Sequence, residues 1–385
     1  MESRDRAGGG GGTMKITKLE TFHIRPRWLF LKVHTDTDIV GWGEPLLEGR
    51  ALTVEAAVHE IGRTLVGQDP THIERIWQRY YRGTFYRGGP VLMSALSGIE
   101  QALWDILGKS LGVPIHRLLG GRVRDKIRLY GWLNISETGD YVSQVAREVE
   151  AKEFTAYKFV PVPASESLES PCFLDKVVST VAGLRRTLGD DIDMALDFHG
   201  RCNPAVARQL CRELEPYRPF FIEEPALPTN PKALVTIKES TTIPIAAGER
   251  LYSRWDFNDL LNLQAVSIIQ PDLSHVGGIF EARKIAAMAE IHDVPIAPHC
   301  PLGPIALAAC LQLDACTPNF LCQEHLTLGE GYLKEPFQTE RGYVFISDQP
   351  GLGIELDESK LEGYIFDGTW ETPQFTHADG SFAEW

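Results

Sequence analysis

The chain has 385 residues, 43% of them hydrophobic, enough for one large domain and a smaller one. A formal net charge of −14 with no basic run excludes a nucleic-acid surface, and no run of 18 uncharged apolar residues exists to span a membrane. Seven cysteines without a CxxC pair suggest reduced thiols and a cytoplasmic setting; Cys300 reads as a small core residue.

Residues 1–13 (MESRDRAGGGGGT) are polar and Gly-rich, so a disordered leader or expression remnant is expected, with folding from Met14. Residues 14–125 read as an α+β unit. KITKLETFHI, WLFLKVHTD and VGWGEP alternate as three antiparallel strands. Three helical segments follow, the third carrying Leu96, Ile99, Leu103 and Ile106 at helical spacing and stopping at Gly112 and Pro114. Two loops have the composition of lids: Arg25 to Trp28, and GTFYRGGP with Phe85, Tyr86 and Arg87 among glycines.

From residue 126 to about 335 the pattern changes to short apolar runs alternating with helical segments, the signature of βα units and a parallel sheet. IRLYGWL (Ile127 to Leu133) is strand one, and TAYKFV ends strand two near Lys158. The next six runs close on Asp197, Glu223, Glu249, Asp272, His299 and Glu324, the first three at equal steps of 26 residues. Eight such units make a (β/α)-barrel, whose active site forms at the C-terminal ends of the strands. A lone strand-end acid is usually a helix cap or a solvated loop residue, but a matched series on neighbouring strands is not explained that way. Residues 336–385 return to short strands and turns and are expected to pack on the first unit. The expected fold is α/β: a modified (β/α)7β TIM barrel behind an N-terminal α+β capping domain.

Asp197, Glu223 and Glu249, three carboxylates with no Cys or His in the ligand set, suit a hard divalent cation, Mg2+. Glu224 alternates to the other face. His199 lies two residues past Asp197, on the same side if extension persists. His299 stands next to Asp272, which would fix its tautomer and raise its basicity. Glu324, if an acid-rich site kept it protonated, would donate to developing negative charge. These groups suit α-proton abstraction beside a carboxylate by His299, followed by loss of a β-hydroxyl assisted by His199 as general acid: a dehydration. Arg27, Tyr86 and Lys158 are the weaker candidates for substrate contact.

WLFLKVHTD, VGWGEP, FYRGGP, QALWDILGK, LDFHGR, ELEPYRPFFIEEP, IPIAAGER, QPDLSHVGGI, APHCPLGPIALAAC, GLGIELDE and AEW together give the chain a close likeness. From Met14 to Trp385 it resembles the enolase superfamily, mandelate racemase subgroup, and within it the D-galactonate dehydratases. The resemblance implies one Mg2+ per subunit on Asp197, Glu223 and Glu249, a His299–Asp272 base, His199 as acid, and Glu324 stabilising the enediolate. It also implies conversion of D-galactonate to 2-dehydro-3-deoxy-D-galactonate and water, by a homo-oligomer between dimer and octamer. The chain departs from the pattern in places. Mandelate racemase has Lys-x-Lys on strand two where this chain has Lys158-Phe159-Val160, which removes the second base of a racemase. The galactonate dehydratases have Asn at Val160, and residues 160–171 and 325–337 also differ. These departures motivate the alternatives: another aldonic or aldaric acid such as gluconate, a lactone cycloisomerisation, or a non-catalytic member.

Overall fold

The computed structural model describes residues 13–133, 145–149 and 153–385; the expected leader, but for Thr13, lies outside them. Strands β1 (Ile16–Ile24), β2 (Trp28–Thr35) and β3 (Val40–Gly43) form an antiparallel sheet in sequence order. Helices α1 (Ala51–Leu65), α2 (Ile73–Tyr81) and α3 (Pro90–Leu111) follow, and α3 starts on a proline and ends at left-handed Gly112. Sheet and helix meet almost backbone to backbone. A Cβ on Gly43 would lie 1.9 Å from the Gly98 carbonyl oxygen, and one on Gly41 2.1 Å from that of Ala102. Only glycine permits this approach.

Leu96, Ile99, Leu103 and Ile106 are buried as their spacing predicts, yet α3 also buries Ser94, Ser97, Glu100, Gln101 and Asp105. The helix is covered twice, by the β1–β3 sheet and by the barrel, so its polar side chains find partners in protein rather than water.

The barrel runs β4 (Lys126–Trp132), β5 (Ala156–Phe159), β6 (Asp193–Asp197), β7 (Phe221–Glu223), β8 (Ile245–Ala247) and β9 (Ile268–Ile269), each parallel to the last. β10 (Gln323–Glu324) pairs with Leu129 and Tyr130 of β4 and closes the ring. The expected seventh strand, VPIAPH, appears only as single parallel bridges, Ile269 to Ile296, Ile296 to Phe320 and Asp272 to His299. Pro295 and Pro298 lack the N–H groups a continuous ladder needs.

One side chain from each of the eight positions fills the barrel floor: Tyr130, Ala156, Ala195, Phe221, Ala246, Ile268, Ala297 and Cys322. Side chains in a strand repeat on one face every second residue. The next inward layer is therefore Trp132, Lys158, Asp197, Glu223, Gly248, Gln270, His299 and Glu324, a polar layer directly above an apolar one.

After β10 a hairpin (Thr339–Glu340, Tyr343–Phe345) pairs antiparallel with the start of β4. The chain then reaches the first sheet, where Ile365 bridges Ile24 and Phe366 N–H donates to the His23 carbonyl. Residues 366–385 cross back over the barrel mouth. Trp370 lies under Arg27 (5.0 Å), Phe375 under Arg201 (4.8 Å), and His377 Nδ1 pairs with Glu166 at 3.1 Å.

Candidate active site

Asp197 and Glu223 are register partners on adjacent strands, so their carboxyls converge without any loop. Lys158 sits among them, fully buried. Its Nζ lies 2.9 and 2.8 Å from the two Glu223 oxygens, 2.8 Å from Glu324 Oε1 and 3.2 Å from Asp197 Oδ2. Burial disfavours the ammonium, but Glu223, Glu324 and Asp197 outweigh it and hold the lysine charged. Lys158 was a weaker candidate for substrate contact; its ammonium meets the carboxylates of Glu223, Glu324 and Asp197, in line with its inward parity.

Glu223 is raised well above the usual carboxyl range by burial and by Asp197, with Lys158 only partly offsetting them. Asp197 is also penalised by burial, yet His199 and Lys158 hold it below its ordinary value. Glu324 departs from expectation. Burial would raise it, but Lys158 and His299 win and hold it low, so it is ionised rather than protonated. It accepts from Trp132 Nε1 and, at 2.8 Å, from Cys300 N–H.

His299 Nδ1 is 2.8 Å from Asp272 Oδ2, and its Nε2 lies 3.5 Å from Glu249 Oε2 and 3.9 Å from Glu324 Oε2. Burial opposes the imidazolium, but Glu249, Glu324 and Asp272 together raise its pKa well above the ordinary value. Asp272 is held from the other side as well. Its Oδ1 accepts from Ser274 N–H at 2.6 Å, and His275 Nε2 is 3.6 Å from Oδ2. His275 Nδ1 in turn meets Ser94 Oγ of α3 at 3.0 Å.

His199 does not follow from strand extension, because its φ is +50° and the chain has already turned. The turn itself brings Nε2 to 3.1 Å from Asp197 Oδ2, while the backbone N–H bonds Oδ1 at 2.8 Å. Its ring lies between Trp132 (centroids 6.2 Å, 29°) and Trp385 (5.0 Å, 27°).

The donor set fits a divalent cation. Ligand atoms of Glu223, Glu249 and His299 lie within 4.8 Å of one another, and Glu249 Oε2 is buried without a hydrogen bond. Buried carboxylate oxygens left unbonded in a crowded acidic site are what a cation would complete. Glu224, on the other face, is buried and ion-paired to Arg250 at 3.0 Å; Arg250 also donates to the His199 carbonyl at 2.7 Å.

Of the lid candidates, Arg27 is brought to the barrel: it donates to the Pro301 carbonyl at 3.1 Å and pairs with Glu48. Tyr86 is not. It is 82% exposed and rests edge-on against Phe85, itself 90% exposed. Sequence reasoning missed Trp132, Arg250, Gln270 and Trp385. Parity within the strands would have found Trp132 and Gln270; nothing local marks Trp385.

The sequence pattern of the mandelate racemase / muconate lactonizing enzyme N-terminal domain matches residues 17–120, and that of the enolase C-terminal domain-like group matches 140–360. The chain belongs to the mandelate racemase / muconate lactonizing enzyme family. It is 49% identical to D-galactonate dehydratases of Variovorax paradoxus and Cronobacter sakazakii, over 97% of this chain and all of each relative. Among solved members of the enolase fold, one from Agrobacterium radiobacter with bound Na and L-malate superposes with a TM-score of 0.90 at 30% identity, covering 96% of this chain and all of that one. A mandelate racemase/muconate lactonizing enzyme from Sulfitobacter sp. gives 0.86 at 32%, over 94% and 99%.

Proposed function

We propose that this chain is a Mg2+-dependent hydro-lyase that converts D-galactonate to 2-dehydro-3-deoxy-D-galactonate and water. The observation that carries the reading is the placement of two histidines on opposite sides of one carboxylate cluster, each with one ring nitrogen engaged by an aspartate. The full-length likeness to D-galactonate dehydratases supplies the substrate.

Asp197, Glu223 and Glu249 would hold the cation. His299 stays out of that set because a hard cation prefers oxygen ligands. When bound, Mg2+ polarises the substrate carboxylate, acidifies the α-proton and offsets the surrounding negative charge. With Glu249 taken up as a cation ligand, the negative charge that raises His299 would be offset; with its Nδ1 proton directed to Asp272, Nε2 would then carry the free lone pair and take the proton from C2. His199 then gives a proton to the C3 hydroxyl, the C3–O bond breaks, and water leaves. The resulting enol takes a proton at C3 and loses its hydroxyl proton to give the 2-keto acid. Glu324, ionised, fixes Trp132 and the Cys300 N–H beside His299 rather than lending a proton.

A second reading keeps the chemistry and changes the acid. Val160 and the 160–171 loop depart from the galactonate pattern, and Glu166 of that loop ties to His377 of the segment covering His199. A panel of aldonic and aldaric acids with Mg2+, read by formation of the 2-keto-3-deoxy product, tests both. Turnover of D-galactonate well above its epimers is expected. Preference for another acid would replace the substrate, and no product from any acid would overturn the function.

A further inference from the structure

Trp385 is not drawn toward the barrel by any neighbour in sequence. It arrives through a chain of contacts, Arg27 with Trp370, Arg201 with Phe375, and Glu166 with His377, that lays residues 366–385 across the mouth. The segment ends with an indole stacked on the imidazole of His199 at 5.0 Å. The two stacked rings share a second property. Trp385 Nε1 and His199 Nδ1 are both buried and both lack a hydrogen-bond partner. An indole N–H can only donate, and sheltering it from water without an acceptor is unfavourable unless another molecule supplies one.

Resting on the dehydratase reading, we propose that Trp385 is a substrate-binding and positioning residue. Its Nε1–H donates to an oxygen of the sugar acid, and its ring face holds the His199 imidazole in place. The acceptor is a hydroxyl or carboxylate oxygen, since the ligand class offers no other polar atom. The stack limits rotation of His199, which Trp132 also approaches at 6.2 Å between ring centroids. Because the 160–171 loop meets the same segment through Glu166, loop and segment act as one specificity element, at one of the two stretches where this chain departs from the galactonate pattern.

The two contributions separate by substitution. Trp385→Phe keeps a ring over His199 and removes the N–H; Trp385→Ala removes both. For the preferred acid, Trp385→Phe is expected to raise KM about tenfold, the size of one hydrogen bond to a substrate oxygen, with a smaller fall in kcat. Trp385→Ala is expected to raise KM similarly and to lower kcat about tenfold further as His199 loses its stack. Calorimetric binding of the acid with Mg2+, and the thermal midpoint, are measured on the same proteins. Wild-type kcat and KM in both variants would overturn the proposal. So would equal losses of kcat in both variants without a change in KM or binding, since that pattern belongs to a structural role. A wild-type protein that binds an acid but turns none over, with binding weakened in Trp385→Phe, would sink the dehydratase reading and leave this one standing.

Discussion

The two histidines stand on walls of different construction. Behind His299 is a relay of buried polar groups that reaches into the other domain: Asp272, His275, then Ser94 of α3. Ser97 Oγ accepts from Gly277 N–H at 2.8 Å, and Gln101 Nε2 donates to the Leu273 carbonyl at 3.2 Å, so α3 grips the whole loop after β9. His199 has no such relay. It sits on a left-handed turn between two indoles, one of them at the end of a largely exposed segment. The base is held by directional bonds to a buried support, the acid by the faces of aromatic rings, one of them on the C-terminal segment. The first wall suits a step common to every α-proton abstraction. The second suits the step that depends on where the leaving hydroxyl lies, hence on which sugar is bound.

The largest test of this contrast is His299→Asn, which should lower kcat by about 10²–10⁴-fold or more, the contribution of a positioned general base. A steady-state rate near wild type would remove His299 from the mechanism. His199→Asn should cost dehydration a similar or smaller factor, yet spare the first step. In D2O the variant should still exchange the C2 proton of substrate, followed by NMR; loss of exchange with loss of product would mean the two walls are not separate.

Next in size is the support itself. Glu100 accepts from the Ile279 and Phe280 N–H groups at 2.7 and 2.9 Å and from Trp104, capping the barrel helix Ile279–Ile291 from α3. Glu100→Ala leaves those donors buried and unpaired and should destabilise the fold by about 2–3 kcal/mol in urea titration. A change under half that would show that water replaces the carboxylate. The smallest effect concerns pH. Burial pushes the carboxyls of Glu100 and Glu44 up to about 8 despite their backbone donors. From the ordinary carboxyl value of 4.5 to about 8 the folded state thus binds more protons than the unfolded one, and stability falls as pH rises through that window. Glu100→Gln should flatten that fall between pH 5 and 8, and an unchanged slope would place the proton elsewhere.

The acids were legible because a parallel strand buried on both faces has no structural need of a carboxylate at its end, so Asp197, Glu223 and Glu249 announce themselves. The carboxylate partners of Lys158 were not legible because its strand end was weighed without the inward parity that places it between Glu223 and Glu324. The charge state of Glu324 was not legible either, since the ammonium that lowers it comes from Lys158, across β4 from its own strand. Seryl and glutamine positions on α3 look like a solvent face until the sheet and the barrel are both in place. Tyr86 sits on a glycine-flanked loop with the composition of a lid, but composition does not fix where a loop points. Trp385 is the extreme case, reaching His199 only through three separate long-range contacts.

Glu100 has a counterpart. Glu44, just past β3, accepts from Gly303 N–H at 2.7 Å and Ala306 N–H at 2.9 Å and caps the helix Pro304–Ala315. The two barrel helices that follow Asp272 and His299 therefore begin on carboxyl groups borrowed from the capping domain. A barrel expressed by itself would start both helices with unpaired amides beside the catalytic base. Recombination between relatives is constrained in the same way. A graft that exchanges the lid loops for new specificity must leave Glu44 and α3 with the barrel they serve, so the seam for swapping substrate recognition runs through the capping domain and not between the two domains.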